Sequence, residues 1–142
     1  MKKTAVLPAM TVFGLLALGA GGANADKSPG LSSLQGAWVE QSMNCEQVYR
    51  PAKRGMAYRK DVSVFAPAIL VSGRRLSTPG ASCSIQKVSN KGDRMILDLA
   101  CTTTITTSHV KAYVSVSDDG AALYRYNDDI EKVGSRYDSC KP

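Results

Sequence analysis

Histidine, phenylalanine and tryptophan are nearly missing from this chain. Its 142 residues include one histidine, one tryptophan and two phenylalanines. The single histidine, His109, has no partner at ligand spacing. The four cysteines contain no Cys-x-x-Cys, so no metal centre is assigned. His109 also lacks a serine or cysteine elbow to activate, which leaves nucleophilic catalysis without its parts. No glycine-rich phosphate cradle is present. No pair of carboxylates stands out as a glycosidase-type acid and base, although two acids meeting in a cleft stay open as a third hypothesis. Helical periodicity is scarce: Cys45 to Val48 fits one turn, and Pro51 stops it. No catalytic residue and no cofactor is assigned.

What is present begins with a targeting pattern. Lys2 and Lys3 precede an uncharged Ala/Leu/Gly-rich run that ends at Ala23-Asn24-Ala25, a small-x-small site. The expectation is a Sec-type signal peptide over 1–25, cleaved after Ala25, with no transmembrane segment left afterwards. A flexible lead over 26–33 and a single domain over 34–142 follow, in the periplasm or secreted. The whole chain carries +6; setting aside Lys2 and Lys3 leaves 16 basic residues against 12 acidic, or +4. That bias attracts acidic surfaces but is too small for a nucleic-acid partner. Four cysteines in an exported chain of this size read as two disulfides, with three pairings open.

The remaining pattern is β. Met95, Leu97, Leu99 and Cys101 alternate with Ile96, Asp98 and Ala100, and Val110, Ala112, Val114 and Val116 repeat the period of two. Strands are expected at 37–42, 56–60, 68–72, 74–78, 82–89, 95–102, 107–117 and 121–127, with a further extended piece at 133–137. Asp118-Asp119-Gly120 and Asn90-Lys91-Gly92 read as three-residue turns, and Ser72-Gly73 as a tighter one. The first of these sets Val116, Val114 and Ala112 opposite Ala122, Tyr124 and Tyr126, all on one face. The fold class expected is all-β: a small antiparallel up-and-down barrel of about eight strands with two disulfides. A sandwich is the alternative. The preferred pairing is Cys45–Cys140 with Cys83–Cys101. The simplest turn places Cys83 opposite Leu99, ~7–8 Å from Cys101, so the second bond requires a bulge or a longer loop.

Gly36-Ala37-Trp38 on the first strand resembles the opening motif of lipocalin-type barrels and of small bacterial periplasmic metalloprotease inhibitors. The resemblance implies that Gly36 and Trp38 mark the barrel base. It also implies a basic partner stacked on the indole, for which Arg125 and Arg136 are the candidates.

Residues 49–60 gather Tyr49, Arg50, Lys53, Arg54, Tyr58, Arg59 and Lys60. Interleaved cations and aromatics suit an acidic glycan, a lipopolysaccharide head group or an acidic protein face. Arg74 and Arg75 are candidates to extend that patch. The threonine-rich run at 102–108 is read as exposed strand, Asp128, Asp129 and Glu131 as an acidic turn, and Ser84 with Lys87 as a chance Ser-x-x-Lys. The leading expectation is therefore an exported, non-enzymatic binding module that engages an unknown protein or acidic surface, inhibitor-like, through 49–60. The second is a small carrier of an apolar ligand, with Val114, Tyr124 and Tyr126 near the cavity wall. So short a barrel can also be filled entirely by its own side chains.

Overall fold

The protein is described by a computed structural model over residues 30–141. The expected signal peptide, 1–25, lies outside the described residues. A 3-10 turn, Leu31–Leu34, precedes ten strands: β1 Gly36–Glu40, β2 Tyr49–Pro51, β3 Met56–Tyr58, β4 Ala68–Ser72, β5 Arg75–Thr78, β6 Ala81–Lys91, β7 Arg94–Thr102, β8 Thr107–Val116, β9 Ala122–Tyr126 and β10 Ser135–Cys140. One short helix, α1, spans Cys45–Val48. Eight strands close an antiparallel barrel in the order β1-β10-β9-β8-β7-β6-β5-β4, and β2 and β3 form a separate hairpin.

The eight barrel strands differ from the eight expected. The 56–60 segment belongs to the outer hairpin, and the piece expected at 133–137 becomes β10, which pairs with both β9 and β1. The barrel is a sequential meander from β4 to β10. Only the β1-to-β4 link is long, and it carries α1 and the hairpin.

One end of the barrel is closed. Trp38 is buried and its Nε1 donates to the Leu34 carbonyl at 2.9 Å, so the 3-10 turn lies across the barrel end. The lead is thus ordered from Leu31 onward, because Leu34 is buried and Leu31 packs on the core. Gln35 fixes this plug to the neighbouring turn: its Oε1 accepts from Gly73 N at 2.7 Å and its Nε2 donates to Gly73 O at 3.1 Å. Gly36 reaches φ +123°, a conformation that side chains with a Cβ rarely adopt.

The β6–β7 hairpin resolves the cysteine difficulty by a different route. The turn is Gly92-Asp93, with Lys91 opposite Arg94, not Asn90-Lys91-Gly92. Gly92 has φ 62° and, among the described residues, no non-glycine residue has positive φ, so Asp93 does not share it, the pattern of a II′ turn. Unbroken, that register would set Cys83 opposite Thr102. A bulge between Ile85 and Lys87 absorbs Gln86 and brings Cys83 opposite Cys101, where they bond. Arg74 holds the bulge. Its Nη2 donates to the Ile85 and Gln86 carbonyls at 2.7 and 3.0 Å. It is therefore engaged at the closed end and does not extend a basic patch, and Arg75 donates to Ser82 Oγ at 3.1 Å.

The β8–β9 turn is one residue longer than expected. Ser117 Oγ accepts from Ala122 N and Asp119 Oδ1 from Ala121 N, which draws Ala121 into the loop. Val116 consequently faces Leu123, Val114 faces Arg125, and Ser115 faces Tyr124. A slip of one residue exchanges the faces of a strand. Tyr124 and Tyr126 therefore occupy outward positions, while Leu123 and Arg125 occupy inward ones.

Outside the barrel, segment 43–62 covers the outer faces of β1 and β4. Ala37, Val39, Val48, Tyr49, Ala68 and Cys140 form a second small core there. Cys45–Cys140 ties α1 to the end of β10, with Cα atoms 5.7 Å apart.

Candidate functional site: the barrel cavity

The barrel interior is filled at one end and hollow at the other. Along the inward face of β7 exposure rises steadily from the base: Met95 0%, Leu97 0%, Leu99 4%, Cys101 8%. On β8 the same trend ends at Val110, 44% exposed at the mouth. Near the base, Trp38, Met95, Leu97 and Leu123 meet beneath the Leu34 plug. Toward the mouth the inner positions carry Ala81 and Ala112, and a cavity of about 580 Å³ opens. Its deep wall is Ile69, Leu76, Leu99, Val114, Tyr137 and the Cys83–Cys101 disulfide. Val64 and Phe65 border the entrance, the phenylalanine 89% exposed. Such a volume, apolar in its depth, lies within the range of small-molecule sites.

One of the three residues expected at the cavity wall needs correction. Val114 lines it; Tyr124 is turned to the outer face, and Tyr126 borders the cavity but occupies an outward position. Its hydroxyl lies 3.1 Å from Ser115 Oγ, and the Arg94 guanidinium sits 3.7 Å over its ring. That is the arginine–aromatic contact of the described residues. Neither Arg125 nor Arg136 stacks on Trp38, because Arg136 pairs with Asp138 and Arg125 belongs to the mouth.

The hairpin residues divide by side. Tyr49 is 2% exposed; its hydroxyl lies 2.8 and 2.9 Å from the Trp38 and Ile69 carbonyls and donates its proton between them. Tyr58, half-buried, donates to Ser77 O at 2.7 Å, and the two rings stack with centroids 5.2 Å apart. Burial raises both phenols above the usual tyrosine value, Tyr58 to about 12. These tyrosines fasten the hairpin to the barrel, so Tyr49 is withdrawn from any contact surface. Arg50, Lys53, Arg54, Arg59 and Lys60 remain exposed, and Arg59 pairs with Asp61.

The acidic turn is structural. Asp129 pairs with Lys91, whose hydrogen bond holds its carboxyl below the ordinary value. Asp128 Oδ1 accepts from Ile130 N and Glu131 N, and the Glu131 carboxylate accepts from Asn127. In the threonine run, Thr103 Oγ1 accepts from Ile105 N and Thr106 N and so closes the β7–β8 turn. Among the described residues no group of three or more His, Cys, Asp or Glu is placed to hold a metal. No helix there is long and apolar enough to cross a membrane.

No family model, no curated protein and no solved structure matches this chain. The site therefore has to be read from its own chemistry. The cavity lining was only partly visible in the sequence. Alternation marked the inner faces of β7 and β8, but the β9 face depended on a turn length that the sequence does not fix.

Proposed function

We propose that this protein is an exported binding protein that holds a small, mainly apolar ligand inside the barrel, entering past Val64 and Phe65. The observation that carries the reading is the gradient of filling along β7 and β8. One end is sealed by large side chains and a plug, while toward the other an apolar wall that includes Ala81 and Ala112 surrounds about 580 Å³. Ligand-sized space in an eight-stranded barrel is a recurring arrangement. Export through segment 1–25 and cross-linking in an oxidising compartment fit the two disulfides. Nothing in the cavity offers a nucleophile with its base, so the reading is of binding without turnover.

The test uses N-phenyl-1-naphthylamine, a neutral apolar fluorophore, titrated into the purified mature protein. Saturable fluorescence enhancement is expected, and Ala112→Trp, which fills the cavity from its wall, should abolish it without lowering the melting temperature. Failure of the wild type to bind, or full binding by Ala112→Trp, refutes the cavity reading.

The protein-partner reading keeps one specific support: Arg50, Lys53, Arg54 and Lys60 are exposed and have no ion pair among the described residues. Replacing Arg50, Lys53, Arg54 and Arg59 together by Ser should abolish capture of an acidic partner and leave melting nearly unchanged.

A further inference from the structure

We infer that the cavity selects a single-chain amphiphile with an oxyanion head, and that Arg125 is the residue that receives the head. The inference rests on the cavity reading above and specifies the ligand class.

Among the described residues two charged ones border the cavity, Lys111 and Arg125, both cations, and no aspartate or glutamate lines it. Lys111 sits opposite Asp98 on β7 and pairs with its carboxylate, so its charge is already matched. Glu40, on β1, accepts from the amide and hydroxyl of Ser42 and is not part of the lining.

Arg125 is different. It occupies an inward-facing position of β9, opposite Val114 on β8 and Ser135 on β10, and is exposed at the mouth. Every other arginine of the barrel strands and their turns has an engaged guanidinium. Arg74 binds the bulge carbonyls, Arg75 binds Ser82, Arg94 binds the Asp128 and Glu131 carbonyls, and Arg136 pairs with Asp138. Among the described residues Arg125 has no ion pair and no side-chain hydrogen bond to another residue.

An unmatched guanidinium at the lip of an apolar chamber defines a polarity for whatever enters. The chain of the ligand gains by desolvation against Ile69, Leu76, Leu99 and Val114, while its head stays where water and the guanidinium both reach it. A guanidinium presents parallel N–H donors that match a carboxylate or a phosphate, and such charge-assisted bonds are about twice as strong as neutral ones. A neutral head would leave the cation without that gain. Preference for the acid over its neutral counterpart then follows from one residue.

The experiment compares 11-(dansylamino)undecanoic acid with its methyl ester by fluorescence titration of the mature protein, with dodecyl phosphate as a competitor to separate the two kinds of oxyanion. Wild type should bind the acid about tenfold or more tightly than the ester. Arg125→Gln should remove that preference by weakening the acid alone. Arg136→Gln, which makes the same charge change on the outer wall of β10, should keep it, and melting temperatures check that both variants fold. Displacement of the acid probe by dodecyl phosphate shows that the site takes phosphate heads as well; no displacement restricts the head to carboxylate, and both results uphold an oxyanion. Equal binding of acid and ester, a preference that survives Arg125→Gln, or an equal loss in Arg136→Gln overturns the inference while leaving the cavity reading in place. Binding of neither probe refutes the cavity reading, and this inference with it.

Discussion

The two ends of the barrel are made from the same strands but filled by different rules. At the base, Trp38, Met95, Leu97 and Leu123 meet under Leu34, and Gln35 clamps the plug to the β4–β5 turn. Toward the mouth Ala81 and Ala112 are among the inward residues and half-exposed Val110 stands at the rim, so the same sheet encloses space. The comparison teaches that side-chain size, not strand geometry, decides whether a barrel this small is a core or a container. The base is packed and the mouth is open.

The two disulfides offer the sharpest way to break this division. Cys45–Cys140 closes a span of 95 residues and ties the outer segment to β10. Its replacement by alanines should cost roughly 4–5 kcal/mol in the chain-entropy account. Cys83–Cys101 closes a span of 18 and forms part of the cavity wall, and its loss should cost about 3 kcal/mol. Urea unfolding and probe titration on both variants check the prediction: the first should lower stability more, yet only the second should change apolar-probe affinity.

A pair of truncations tests the same contrast within one sheet. Leu97→Ala, in the packed half, should lose about 2–5 kcal/mol because its cavity cannot collapse. Val110→Ala, at the half-exposed mouth, should lose well under that and weaken ligand binding instead. Comparable losses of stability at both sites would show that the mouth is also a core.

Gly36→Ala should destabilise by about 1–3 kcal/mol, since φ +123° is strained for any residue with a Cβ, although nothing lies within 4 Å of the added carbon. Thermal melting with unchanged probe affinity is the expected result, placing the effect at the base alone.

The smallest effect concerns pH. The Tyr58 phenol is raised by burial from 10.0 to about 12 in the folded protein, so the folded state holds its proton more tightly than the unfolded chain does. Its stabilising contribution is full below about 10, declines as pH climbs from there, and is gone above about 12; Tyr49 acts in the same direction. Denaturant melts between pH 9 and 12 should show the decline, and Tyr58→Phe should flatten it.

The base was legible because its signals are local. Gly36, Trp38 and the flanking apolar residues lie within a few positions of one another, and the alternation on β7 declares which side chains face inward. The β6–β7 cystine was legible in outline, because the faces of Cys83 and Cys101 agreed while the simplest register did not. The bulge at Gln86 and its Arg74 staple were not, since Arg74 reaches them from another hairpin. The mouth was hardest to read. Ser117 and Asp119 lengthen the β8–β9 loop by one residue, and that single residue moved Tyr124 outward and Arg125 inward.

The amino-acid sequence by itself determined that the chain would form strands, how many cross-links it would carry and roughly where its tight turns would fall. These follow from a period of two, from cysteine number and from the turn residues between the alternating runs. Only the tertiary structure decided which strands complete the ring, where the register shifts, and which cation faces the hollow. A local alternation is unchanged by sliding one strand past another by one residue, whereas the closed barrel accepts a single setting, the one in which the distant strands β1, β4 and β10 also find their partners.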